Sequence, residues 1–119
     1  MSAEPITVYH NPRCSKSRTT VQILENRGVE FELYHYLTEN PGVEELRRVM
    51  SLLAIEDPRA MMRVKEAEYA EHQLADADAE QLLNAMAEYP QLIERPIVIR
   101  GARAVIARPP ERVSEILDD

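Results

Sequence analysis

The chain has 119 residues, 29% of them charged and 45% apolar, and a formal net charge of −7. That length supports one domain with its own core, residues 1–119, and the composition is that of a folded globular chain. The acidity excludes general nucleic-acid binding, which neutralises phosphates with lysine and arginine; no run is long enough to span a membrane, and MSAEPITVYH lacks the apolar stretch of a secretion signal.

ITVY (6–9) is a short β-type run, followed by the loop HNPRC. From Ser15 to Arg27 the pattern is helical, with Thr20, Val21 and Leu24 on one side and Gly28 as the stop signal. VEFELYHYL then alternates: Val29, Phe31 and Leu33 face one way, Glu30, Glu32 and Tyr34 the other, which predicts a half-buried strand. Strand, helix and strand in so few residues make a βαβ unit with parallel strands.

The middle of the chain, about 41–90, reads as a helical insertion. Asn40-Pro41 predicts a cap and first turn leading into Val43, Leu46, Val49, Met50 and Leu53. Asp57-Pro58 repeats the signal before Ala60, Met61 and Met62, and Asp78 with Gln81 predicts a capping box ahead of Leu82, Leu83 and Met86. The methionines at helical spacing are core filling. IVI (97–99) and AVIA (104–107) then flank RGAR as a hairpin, and Pro109-Pro110 opens a last helix with Val113, Ile116 and Leu117. The predicted class is α/β with one mixed four-stranded sheet, in the order β-α-β, helical block, β-β-α.

The single cysteine, Cys14, lies in the basic stretch YHNPRCSKSRTT, where the first strand hands over to the first helix. It cannot close a disulfide within the chain, so the expected compartment is the cytoplasm. An ordinary thiol of pKa about 8.5 is roughly 3% ionised at pH 7. The N–H groups and positive dipole end of a helix start, with Arg13, Lys16 and Arg18 nearby, favour the thiolate and predict a nucleophile. His10 is placed to support the thiolate by charge or by hydrogen bonding, Asn11 to brace the loop, and Ser15 and Ser17 to offer hydroxyls to a bound anion or to the sulfur, or simply to cap the helix. Ser17 stands where a CxxC motif would carry its second cysteine, so an oxidised or substrate-bonded Cys14 must be resolved by an external thiol. The three histidines, 10, 35 and 72, show no metal-ligand spacing, and no metal or bound cofactor is expected.

YHNPRCSKSR, RAMMRVKE, LIERPIVIRG and IARPPE, in this order between about residues 6 and 117, together resemble the arsenate reductase family that couples to glutathione and glutaredoxin. The resemblance implies a thioredoxin-like fold, Cys14 as nucleophile, His10 as a promoter of its thiolate, and Arg63, Arg95 and Arg108 as the oxyanion-binding set. It also implies a cis-proline at Pro96 facing the cysteine. The implied reaction is reduction of arsenate to arsenite, with glutathione as co-substrate and glutaredoxin as partner. This fits the residues physically: an oxyanion can approach a thiolate in so acidic a chain only if local guanidinium groups cancel both repulsions. The family usually reads Gly-Thr-Ser after the nucleophile, whereas this chain reads Ser15-Lys16-Ser17, as in a shorter branch. Two other readings stand beside it: a glutathione-linked thiol oxidoreductase that does not act on arsenate, and a redox-linked regulator that binds RNA polymerase.

Overall fold

The computed structural model describes residues 5–117, and packing divides them into two compact units. The first carries both ends of the chain, up to Tyr36 and from Arg95 onward; the second is Leu37–Glu94. The second unit contains the helical block.

The first unit is built on a four-stranded sheet of β1 (Ile6–Tyr9), β2 (Glu32–Tyr34), β3 (Ile97–Arg100) and β4 (Arg103–Ile106), in the order β2-β1-β3-β4. β1 pairs parallel with β2, across helix α1 (Ser15–Asn26), while β1–β3 and β3–β4 are antiparallel. The mixed sheet is therefore the one expected. Val8, Val98 and Val105 lie in one rung across three strands and bury against Leu24 of α1 and Val113 and Ile116 of the C-terminal segment. Complete burial of such a side chain contributes about 1.5–3 kcal/mol, so this rung anchors α1, and with it the loop before it, to the sheet. On the opposite face Tyr9 is buried, with its ring 4.9 Å from Tyr34 and 6.0 Å from Tyr36.

β2 is shorter than the alternation in VEFELYHYL suggested. Val29 and Phe31 do pack against the core, but Leu33, in register with Val8, is 39% exposed. The parity holds and the depth does not, because β2 is an edge strand, and Tyr36 already begins a short helix, α2 (Tyr36–Glu39). Gly28 stops α1 as expected, with φ +69°, the left-handed backbone that glycine adopts without a Cβ clash. Gly101, at φ +58°, occupies the two-residue turn between β3 and β4. The last helix forms as a 3₁₀ turn, Pro110–Val113, that passes into α6 (Ser114–Leu117).

In the second unit α3 (Val43–Leu52) packs on α5 (Ala79–Glu88) through the buried Leu46, Val49, Leu82, Leu83 and Met86. The short helix α4 (Ala67–Glu71) lies between them in the chain. Met61 and Met62 are buried as core, as read from their spacing, whereas Met50 is only half-buried. Asn40-Pro41 does not cap α3; Gly42 does, because Asn40 takes a left-handed turn at φ 44° and its amide donates to the Ala87 carbonyl at 3.4 Å. Asp57-Pro58 starts only a 3₁₀ turn, Pro58–Met61, after which Met62 pairs with Ile93 in an antiparallel bridge. Arg59, which sequence reasoning did not single out, explains the irregular chain that follows. Its Nη2 donates to the carbonyls of Leu74, Ala75 and Ala77 at 2.7, 3.0 and 2.8 Å, and its Nε to the Tyr69 hydroxyl at 3.0 Å.

The capping box is present: the Gln81 N–H donates to Asp78 Oδ1 at 2.8 Å, and the Asp78 N–H donates to Gln81 Oε1 at 2.9 Å. Asp78→Ala removes one acceptor of an otherwise orphaned helix-end N–H and is expected to lower stability by about 1 kcal/mol. Urea denaturation of the two proteins, with unchanged slope and a lower midpoint, checks this.

Candidate active site

Cys14 is the residue that caps α1, in extended backbone at φ −95° and ψ 123°. This places the sulfur at the start of the helix, beside the N–H groups of Lys16 and Ser17. The loop that delivers it is closed by its own polar atoms. The Cys14 N–H donates to the Asn11 carbonyl at 3.0 Å, and Asn11 Oδ1 accepts the Arg13 N–H at 3.0 Å. Arg18 reaches back from α1 and donates from Nη1 to the Pro12 carbonyl at 2.8 Å. Behind the loop the His10 N–H extends β1 by donating to the Tyr34 carbonyl at 3.0 Å.

Ser17 and His10 form the floor. Ser17 is fully buried, its Oγ lies 2.8 Å from His10 Nδ1 and accepts the Asn11 N–H at 3.1 Å. Its hydroxyl thus ties His10 to the backbone of the loop. Ser15 is exposed on the first helical residue. His10 is 7% exposed, and burial, then His35 and Arg18, lower its pKa below the ordinary imidazole range. The hydrogen bond that this ring makes is with Ser17 Oγ.

The Cys14 thiol is lowered from its ordinary pKa. Burial pushes it up, but the Ser17 N–H, the charge of Arg95, the Lys16 N–H and a hydrogen bond from the Arg95 guanidinium together outweigh burial. The side-chain cations of the loop are thus less important than the sequence suggested. Lys16 contributes its backbone, Arg18 is held by Pro12, and the guanidinium on the sulfur comes from a residue far away in the chain.

Arg95 stands at the entry to β3, ahead of a cis peptide bond to Pro96, the isomer expected there; Arg108-Pro109 is cis as well. Arg108 donates from Nη1 to the Arg95 carbonyl at 3.0 Å. Cys14, His10, Asn11, Ser17, Arg95 and Arg108 therefore come together in the first unit. Arg63 belongs to the second, where its Nη1 lies 3.1 Å from Glu66 Oε2 and its N–H donates to the Leu92 carbonyl at 2.7 Å. Among the described residues no group of three His, Cys, Asp or Glu side chains is placed to hold a metal ion, and no helix is long and apolar enough to cross a membrane. What was missed is the use of Ser17 through its backbone, and the second arginine–cis-proline pair; the repeated Arg-Pro at the two strand boundaries was the available signal.

Cys14 stands at a strand–helix junction, Arg95 precedes a cis-proline at the entry to β3, and residues 9–116 match the ArsC family model. The chain belongs to the ArsC family. It is 46% identical to an arsenate reductase of Haemophilus influenzae over 114 residues, which cover 94% of this chain and 98% of the relative. It is 38% identical to an Escherichia coli arsenate reductase, covering 96% of this chain but 82% of that longer one. A solved structure described as an arsenate reductase from Vibrio cholerae superposes with a TM-score of 0.93 at 48% identity, covering 97% of this chain and 99% of that one. The fold is thioredoxin-like, as the family resemblance implied.

Proposed function

We propose that this ArsC protein reduces arsenate to arsenite, using Cys14 as the nucleophile and glutathione and glutaredoxin as the electron source. The observation that carries the reading is the lone thiol held toward thiolate by the start of α1 and by Arg95. The thiolate attacks arsenic(V), a sulfur–arsenic bond forms, and one oxygen leaves as water. Glutathione then displaces a second oxygen, which also leaves as water, and becomes the second thiolate ligand of the same arsenic. Glutaredoxin then attacks the glutathione sulfur, and the electron pair of the breaking sulfur–arsenic bond reduces arsenic(V) to arsenic(III). The products are a glutaredoxin–glutathione disulfide and, after water cleaves the Cys14–arsenic bond, arsenite and the free thiol. With one cysteine in the chain no internal disulfide can form, so the Cys14 adduct must be resolved by thiols from outside, a role that glutathione and glutaredoxin share in this cycle.

Arg95 neutralises the sulfur before attack and the oxyanion as it arrives, and forked guanidinium donors suit tetrahedral oxygens. The family resemblance adds Arg63 and Arg108 to the oxyanion set. His10 acts through Ser17: it fixes the residue whose N–H meets the sulfur. A cytoplasmic setting, where glutathione is kept reduced, fits this cycle.

The test is turnover of NADPH in a mixture of arsenate, glutathione, glutaredoxin and glutathione reductase. Arsenate-dependent oxidation that requires both thiol partners is the expected result. No rate above the enzyme-free control, with Cys14 still reactive toward an alkylating agent, makes arsenate the wrong substrate and leaves a glutathione-linked oxidoreductase.

A further inference from the structure

We propose that Arg108 is a positioning residue: by donating to the carbonyl oxygen of Arg95, it holds the backbone from which the Arg95 guanidinium reaches the Cys14 sulfur. The reason lies at the end of the β3–β4 ladder. The last paired residues toward the site are Ile97 and Ile106. The next residue on β3 is Pro96, which has no N–H, so reciprocal ladder bonds cannot continue. Two bonds pin the junction instead: the Ala107 N–H donates to the Pro96 carbonyl at 3.0 Å, and Arg108 Nη1 donates to the Arg95 carbonyl at 3.0 Å. The second is charge-assisted and half-buried, hence stronger than an ordinary ladder bond. It acts on the peptide unit of Arg95 itself. A small displacement there is amplified along a long side chain, and placement errors near 1 Å are costly at reacting centres. A guanidinium carries five N–H donors, so this role is compatible with oxyanion binding by the same residue.

The inference rests on the proposed function only in taking Cys14 as the nucleophile, and its test uses no arsenate, so the two can fail separately. The charged side chain that acts on Cys14 within this unit is Arg95, from the entry to β3, while Arg13, Lys16, Arg18 and the titratable His10 lie on the same loop and helix as the cysteine. The experiment is the rate of Cys14 alkylation by iodoacetamide across pH in wild type, Arg95→Ala, Arg108→Ala and the double variant, each checked for native circular dichroism. Arg108→Ala alone is expected to slow alkylation at neutral pH by roughly fivefold and to move the profile to higher pH. In the Arg95→Ala background the same substitution is expected to change the rate by less than about twofold, because the guanidinium it positions is gone. Equal slowing in both backgrounds would mean that Arg108 acts by its own charge and overturns the proposal, as does an unchanged profile in Arg108→Ala. If an alanine protein does not fold, Arg108→Gln and Arg95→Gln in the same four-way comparison give the same decision.

Discussion

Cys14→Ser protein is expected to fold normally and to lose arsenate turnover by about 10⁴-fold or more, down to the enzyme-free rate. Cys14 is half-buried and stands outside the hydrophobic cluster of its unit, so exchanging sulfur for oxygen leaves the packing intact. What is lost is an ionisable nucleophile. The N–H groups of Ser17 and Lys16 and the Arg95 guanidinium lower a thiol enough to matter, but they cannot ionise a serine hydroxyl. The same substitution has a signature in stability that needs no substrate. A thiol whose pKa is lowered by folding stabilises the folded state wherever it is ionised there. That contribution is complete above the ordinary thiol range and is lost as pH falls through the lowered folded-state value. Between those two points wild-type stability, measured against Cys14→Ser by denaturant titration, is expected to rise with pH. A flat difference would show that the thiol is unperturbed by folding.

The parts of this molecule that were legible in its sequence are those in which one local rule decides. The capping box at Asp78 and Gln81, the stop at Gly28 and the hairpin around Gly101 each follow from a side chain or a missing one acting on its own backbone. The thiol was legible for a similar reason, since a cysteine at a strand–helix junction meets helix N–H groups wherever the chain goes next. Where two rules compete, the sequence is a weaker guide. Leu33 alternates correctly yet is exposed because strand position, which is a property of the whole sheet, sets burial. Asn40-Pro41 and Asp57-Pro58 both carry start signals, but tertiary bonds made by Asn40 and Arg59 turn one into a loop and the other into a single 3₁₀ turn. The cationic partner of the sulfur was misjudged in the same way. Arg13, Lys16 and Arg18 are near in sequence, whereas the guanidinium that meets the sulfur is Arg95, placed there by the β1–β3 pairing. Only the family resemblance pointed to it in advance.

Arg95→Ala is expected to lower kcat/KM for arsenate by roughly 10²- to 10³-fold, and the pH dependence separates its two causes. Arg95 acts on the free enzyme by favouring the thiolate, through its charge and a hydrogen bond to the sulfur. Without it the N–H groups of Ser17 and Lys16 remain, while burial of the sulfur continues to oppose ionisation, so the thiol pKa moves up toward its ordinary range. The rising limb of kcat/KM against pH reports ionisation in the free enzyme, and it is expected to move to higher pH in the variant. If favouring the thiolate were the whole of the role, the two profiles would converge at alkaline pH, where sulfur is ionised in both proteins. If Arg95 also holds the oxyanion during attack, a gap persists there, because the lost donors are needed after ionisation as well as before. A persistent gap of at least tenfold is the expected result. Arg95→Lys is expected to recover much of the shift in the limb but little of the alkaline gap, since an ammonium restores the charge without the planar fork of donors.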